Sequence, residues 1–273
     1  ASYPKSGNTW LRFYILSLLV GKKTNINLGH LKAILAYPHS THFEGLVSNL
    51  FDLDEIAKNW IISQKKMNSN KHLRFFKTHN MLGKYKGYPF TDYENTLGTI
   101  YIVRDPRNVI TSLKNHYSLS DYTEAKKFMF DENKILAMSE RQKNLFMKSK
   151  IFPLKQIVGS WRTNYLSWKH MDKNYLLVKY EDLVENPKNE FKKIADFVGN
   201  LLKLKFTEDQ IDNAINLSSF DKLEKMEKEH GFTESTIDKE GNRNKFFYLG
   251  PKNNWQEILE GKISKKIEQE FEQ

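Results

Sequence analysis

Residues 99–112 read TIYIVRDPRNVITS. The first five are β-branched, aromatic or apolar, a composition that favours a strand. Asp105 is then a good helix N-cap and Pro106 a good first helical residue. Arg104 stands at the junction, and Ser112 lies two turns into the helix. The stretch is a strand handing over to a helix, with a cation at the point of exchange.

The same pattern recurs on either side. LRFFKT (73–78) and YLLVKY (175–180) are short and mostly apolar, as buried parallel strands are. Each is followed by polar residues and then by a helical pattern. That alternation predicts an α/β fold of three layers, a central parallel sheet flanked by helices. Other helix signals are local. Asn186 and Pro187 open a helix that Gly199 should close. Thr207 with Gln210 makes a capping box. In 159–171, Trp161, Tyr165 and Trp168 share one helix face, which reads as core. Residues 231–254 lack periodicity and read as a long loop.

The chain has 273 residues, 39% of them hydrophobic, enough for one large α/β domain, and it is read as a single domain over 1–273. No apolar run reaches the roughly eighteen residues of a membrane span. There is no cysteine, which excludes disulfides and thiolate chemistry and favours a reducing, cytoplasmic compartment. Lys and Arg number 43 against 33 acids, a net charge of +10. Such an excess suits polyanionic ligands, but it reads equally as lysine-rich coding bias. The chain starts at Ala1, at the edge of a turn, and the strand that should feed that turn calls for earlier residues. It therefore reads as trimmed within its first strand.

That turn, SYPKSGNTW (2–10), is the second decisive stretch. At the C-terminal ends of parallel strands, helix N-termini present free N–H groups and a positive dipole end to anions. Gly7 permits close backbone approach, Lys5 adds a point charge, and Ser6, Asn8 and Thr9 add donors. The loop is not a Walker A motif, which sets its lysine after a second glycine. Arg104 is suited to bidentate phosphate recognition. In RFFKTHN (74–80), His79 beside Lys77 at a strand end is a candidate general base.

Together, YPKSGNTW, KTH, YIVRDPRNVITS and LVKYEDLVENPKNEFKKIADFVG resemble the sulfotransferases that use 3′-phosphoadenosine 5′-phosphosulfate (PAPS) as sulfuryl donor. The resemblance implies a P-loop-like fold. It implies that Lys5, Ser6, Gly7, Asn8, Thr9 and Trp10 hold the 5′-phosphosulfate, with Trp10 near the adenine. Lys5 and Lys77 would neutralise charge during transfer, and His79 would be the base on the acceptor. Arg104 and Ser112 would bind the 3′-phosphate; Tyr180, Ser218 and Phe220 would line the base pocket. No metal is implied. The acceptor would be a hydroxyl of a small molecule or glycan, with an amine as second choice.

The chain departs from the family near its C-terminus. Where R-K-G-x-x-G-D-W is usual it has YLGPKNNW (248–255). Gly250 and Trp255 fit, but Tyr248 and Leu249 replace the basic pair, and Lys252, Lys245 or Arg243 from the same loop is the substitute expected. Two other functions fit less well. A nucleotide-dependent phosphotransferase lacks its G-K-[ST] here. A nucleic-acid-binding protein should cluster its cations, whereas runs such as KLEKMEKE (222–229) mix them with acids along solvated helices. Acceptor choice is expected from loops 30–60, 80–95, 117–150 and 231–248. Within them Tyr37, Phe43, Tyr85, Tyr88 and Phe90 suggest a partly aromatic pocket. Two histidines in PHSTH (38–42) read as loop residues.

Overall fold

The computed structural model describes residues 1–21, 25–138, 151–238 and 240–271. In chain order its helices are α1 (Asn8–Val20), α2 (Leu53–Lys58), α3 (Trp60–Asn68), α4 (Pro106–His116), α5 (Tyr122–Phe130), α6 (Trp161–Trp168), α7 (Tyr180–Glu185), α8 (Pro187–Leu202), α9 (Glu208–Leu217), α10 (Phe220–His230), α11 (Trp255–Ile258) and α12 (Gly261–Phe271). The strands are β1 (Lys84–Tyr85), β2 (Tyr88–Pro89), β3 (Thr99–Val103), β4 (Ile135–Leu136), β5 (Gln156–Ile157) and β6 (Tyr175–Lys179). Two of the three expected strands form a ladder, β3 and β6, which pair in parallel. The class is α/β, as the alternation of 99–112 and 175–190 required. The chain forms two compact units. One comprises Ala1–Tyr3, Ile34–Tyr101 and Asp131–Tyr175; the other comprises Pro4–Ala33, Ile102–Phe130 and Leu176–Gln273.

In the second unit, α1 is buried on nearly every side, and Phe13, Tyr14 and Leu18 are almost wholly inaccessible. It packs on α9, and α9 on α8. Tyr14 carries its hydroxyl into this core and donates it to the Phe191 carbonyl at 2.8 Å, so the buried polar group has a partner. Helix α4 begins as expected. Asp105 accepts the Arg107 N–H, Pro106 occupies the first turn, and Val109, Ile110 and Leu113 are buried along one face. The Thr207–Gln210 capping box is formed in both directions. Helix α8, however, runs past Gly199 to Leu202, and Lys203 supplies the left-handed residue at its end. Gly199 serves another purpose. A Cβ there would meet the Leu204 carbonyl oxygen at 2.7 Å, so glycine lets the chain fold back on the helix.

In the first unit, residues 73–78 make a single parallel bridge, Ala36 to Lys77, instead of a strand. Lys77 N–H donates to Leu35 and its carbonyl accepts from Tyr37, but the next residue in register, His79, gives its N–H and its carbonyl to the side chains of Gln156 and Asn164, and the ladder stops there. On the other side the Ser2 N–H donates to the Thr78 carbonyl at 3.2 Å. The core here is aromatic. Tyr37, Phe43 and Phe90, expected to line an acceptor pocket, are buried instead. The Tyr37 hydroxyl donates to the Trp60 carbonyl and receives the Gln64 amide. Helix α6 buries Trp161 and Trp168 as its spacing required, with the Tyr165 ring tilted against Trp161 and Tyr101. The acceptor loop expected over 117–150 falls in part on 139–150, outside the described residues, as does position 239 of the loop 231–248.

PHSTH forms a 3₁₀ turn over Ser40–His42. The His42 ring stacks on Tyr37 at 5.5 Å and meets Phe76 edge-on at 5.1 Å. Burial, with His39 and Arg74 nearby, holds its pKa down to about 4. The unfolded chain takes a proton near 6.5, so it binds more protons than the fold between those values, and acid favours unfolding. Stability should therefore be level in this respect above pH 6.5 and fall as the pH drops from 6.5 towards 4. His42→Phe should fall less steeply over that window when melting temperatures are compared at pH 7.0, 5.5 and 4.5. Parallel slopes for the two proteins would contradict the assignment.

Candidate functional site

Two groups of residues emerge. The larger lies in the second unit, where α1 begins. Gly7 is the N-cap of α1 with φ 104°, a left-handed backbone that admits glycine readily, and no side chain caps the helix. A Cβ on Gly7 would lie 2.7 Å from the Tyr180 ring and 2.9 Å from Ile102. Lys5 is also left-handed, at φ 65°. Ser6 is inaccessible, and its hydroxyl has no hydrogen-bond partner among the described residues. A buried orphan hydroxyl beside an uncapped helix start is a donor set suited to an oxyanion.

Arg104 joins the pieces. Its guanidinium lies 4.0 Å above the Tyr180 ring, and its Nη2 donates to the Gly250 carbonyl at 3.1 Å. Nη1 lies 3.5 Å from both the Lys5 carbonyl oxygen and Ser112 Oγ. Arg104 is 5% exposed, and its Nε–H has no partner. The adjacent carboxylate, Asp105, is taken by Arg107 at 2.7 Å. Trp10 meets Tyr180 and Phe191 edge-on, and burial pushes the Tyr180 hydroxyl up in pKa. Phe220 presses on Gly250, and Asn253 Nδ2 donates to the Asn108 carbonyl at 2.7 Å and reaches to 3.5 Å from Ser112 Oγ.

The loop 231–254 is held by two carboxylates that the sequence did not single out. Buried Glu227 accepts the N–H groups of Phe246 and Phe247 and the Ser235 hydroxyl, at 2.7–2.9 Å. This fixes Phe246, whose ring lies 3.5 Å from the Lys5 ammonium. A ring face attracts the cation without neutralising it. Glu234 is the second. Arg12, buried in α1, lies 2.8 Å from both its oxygens, and Thr9 donates to it at 3.3 Å. An arginine inside an apolar helix was the legible signal; its partner, 222 residues on, was not.

The smaller group lies in the first unit. Lys77 and His79 flank Thr78. The His79 Nδ1 is 2.8 Å from the Ser2 carbonyl oxygen. Nδ1 also lies 3.3 Å from the Ser2 hydroxyl, but the carbonyl is the shorter contact and can only accept, so it favours the tautomer with the proton on Nδ1 and the lone pair on Nε2.

Two expected residues differ. The Ser218 hydroxyl turns to its own helix, 2.8 Å from the Ala214 carbonyl oxygen, instead of into a pocket. Lys252 is exposed, and the side chain reaching Ser112 is its neighbour Asn253. Among the described residues, no group of three His, Asp or Glu could hold a metal ion, and no helix is long and apolar enough to cross a membrane.

Gly250 is where this arrangement tolerates least. It has φ 53°, and a Cβ would stand 2.1 Å from the Phe220 ring. Gly250→Ala should cost about 1–3 kcal/mol by denaturant unfolding. Phe220→Leu in the same chain should return part of that loss. A Gly250→Ala protein as stable as wild type would show that the ring does not rest there.

A family model described as the sulfotransferase domain matches residues 1–273. Flavonol 3-sulfotransferase of Flaveria bidentis is 24% identical over 98% of this chain and 78% of its own length. The 3-beta-hydroxysteroid sulfotransferase of Cavia porcellus is 26% identical over 80% of this chain and 63% of its own length. Among solved structures, mouse sulfotransferase SULT7A1 complexed with PAP superposes with a TM-score of 0.57 at 18% identity, covering 98% of this chain and 80% of that one. Retinol dehydratase with androsterone and the inactive cofactor PAP gives 0.58 at 17% identity, covering 100% and 78%. These neighbours share the P-loop-like fold of this chain.

Proposed function

This chain belongs to the sulfotransferase family, and from that premise we propose that it transfers the sulfuryl group of PAPS to a hydroxyl of a small-molecule acceptor in the cytoplasm. The observation that carries the reading is the donor set of the second unit. A buried Ser6 hydroxyl without a partner sits next to the Gly7 turn at the uncapped start of α1, and the Lys5 carbonyl approaches an Arg104 that also reaches Ser112. Two anionic groups on one nucleotide fit that pattern.

Lys5, Ser6, Gly7, Asn8 and Thr9 would hold the 5′-phosphosulfate, and Arg104, Ser112 and Asn253 the 3′-phosphate. Trp10, Tyr180 and Phe220 would frame the base. When bound, PAPS supplies the sulfuryl group and a phosphate leaving group, so transfer needs positioning and charge neutralisation more than covalent help. Lys5 and Lys77 supply positive charge. The acceptor hydroxyl gives its proton to His79 Nε2, the nitrogen left basic by the Nδ1–H bond to Ser2. Small-molecule acceptors are supported by the relatives, one named for a flavonol and one for a hydroxysteroid.

The nucleotide assignment is tested by melting. The product 3′,5′-adenosine bisphosphate should raise the melting temperature well above the effect of adenosine 5′-monophosphate, which leaves Arg104 and Ser112 without a ligand. Arg104→Ala should remove most of that difference, since a hydrogen bond to a charged group contributes about 1.5–3 kcal/mol. Equal shifts with both nucleotides in the wild-type protein would overturn the 3′-phosphate site.

The base assignment is tested separately. Positioned general bases contribute about 10²–10⁴-fold. His79→Ala should lose turnover on that scale, read as release of the bisphosphate, while its affinity for the bisphosphate stays near wild type. Near-normal turnover would move the base elsewhere and leave the family assignment intact.

A further inference from the structure

The main chain of His79 is held from both sides by side-chain amides that come from distant parts of the sequence. Its N–H donates to Gln156 Oε1 at 2.7 Å. Its carbonyl accepts from Asn164 Nδ2 at 2.9 Å. The same Asn164 nitrogen donates to the Val158 carbonyl at 2.8 Å, and Asn164 Oδ1 accepts the Tyr101 hydroxyl at 2.8 Å. Asn164 is wholly inaccessible and Gln156 nearly so.

This placement is costly for a core. Asn164 lies on the buried face of α6 with Trp161 and Trp168, where an aliphatic side chain would satisfy packing alone. Instead the position carries an amide whose two hydrogens go to two carbonyls and whose oxygen takes a hydroxyl. All three bonds have good length, so the burial is compensated. Gln156 adds a fourth contact and lies 3.4 Å from the Thr78 hydroxyl. The amides grip the backbone of His79, and the ring's Nδ1 then finds the Ser2 carbonyl.

We propose that Asn164 and Gln156 are positioning residues for His79. They fix its backbone so that the imidazole keeps one tautomer, Nδ1–H on Ser2 and a lone pair on Nε2. The proposal rests on the reading of His79 as the base. The chemistry it demands is asymmetric. Position 156 must accept from an N–H, and position 164 must donate to a carbonyl. Glutamate can therefore replace Gln156, but aspartate, having the shape of Asn164 and no hydrogens, cannot replace Asn164.

The test is histidine ¹⁵N NMR on the full chain, with the His79 signals assigned by their loss in His79→Gln. In the wild type at neutral pH, Nδ1 should resonate as protonated and Nε2 as unprotonated. Gln156→Glu should keep that split. Asn164→Ala, Asn164→Asp and Gln156→Ala should collapse it towards an averaged pair, as the two tautomers exchange. Turnover should fall roughly 10–100-fold in Asn164→Ala, the scale expected for a misplaced catalytic group, while affinity for 3′,5′-adenosine bisphosphate stays within about twofold. Tyr101→Phe, which removes one bond and keeps the ring, serves if Asn164→Ala does not fold, and should weaken the split. An undiminished split in both Gln156→Ala and Tyr101→Phe would overturn the proposal. Normal turnover in His79→Gln would instead overturn the base and leave the tautomer result standing, so the two failures are separable.

Discussion

A buried cation organises the second unit. Arg104 stands where β3 ends and α4 begins, and it is almost inaccessible. An isolated charge there would cost several kcal/mol, so everything near it is arranged to supply partners. Among the described residues its hydrogen-bond partners are not carboxylates, although the half-buried Glu181 charge acts on it. The supply is the face of Tyr180, the carbonyls of Lys5 and Gly250, and the Ser112 hydroxyl. Partners of this kind solvate the guanidinium without cancelling its charge. The nearest acid in sequence, Asp105, is held by Arg107, which Glu268 also engages. The cation is therefore kept positive and aimed, a different result from a salt bridge.

The surroundings follow from that requirement. Tyr180 must lie flat beneath the guanidinium, and it then comes so near Gly7 that no Cβ fits between them. Gly250 must offer its carbonyl to Arg104, and Phe220 then closes on it from the other side. Both glycines are fixed by contacts from residues over 25 positions away. Further out, Glu227 and Glu234 tie the loop 231–254 to α10 and α1, and Phe246 stands under the Lys5 ammonium as a consequence.

What was legible in the sequence was local. The Asp105–Pro106 helix start, the Thr207–Gln210 box and the tryptophan face of α6 are set by neighbours within a turn or two, and they hold. The turn at Lys5–Gly7 and the strand-end Arg104, expected together from residue type and position in the βα unit, do lie together. The illegible parts depend on partners far along the chain. Residues 73–78 have strand composition, yet a ladder needs a neighbour, and after one bridge the side-chain amides of Gln156 and Asn164 take the His79 N–H and carbonyl that would continue it. Gly199 looks like a helix stop, but the buried face of Ile194, Ala195 and Val198 carries the helix onward. Tyr37, Phe43 and Phe90 could line a pocket or fill a core, and only the fold decides. Asn164 and Gln156 carried no signal at all, since an amide in a helix or a short strand is ordinary until its partners are known.

The two groups satisfy their polar atoms in opposite ways, and the contrast is itself informative. Around Arg104, buried donors are left over: the Ser6 hydroxyl and the Arg104 Nε–H have no partner among the described residues. Around His79, the main-chain N–H, the main-chain carbonyl and the ring Nδ1 each have a partner within 2.9 Å. Hydrogen-bond chemistry explains why each pattern suits its task. A site that grips a polyanion must keep donors uncommitted, because each one already satisfied would have to break a bond to reach the ligand. A group that accepts a proton gains from the reverse. Every other polar atom around it should be fixed, so that one lone pair, on Nε2, remains in a constant direction. On the proposed reading, the leftover donors await the nucleotide, and the complete satisfaction holds the base still.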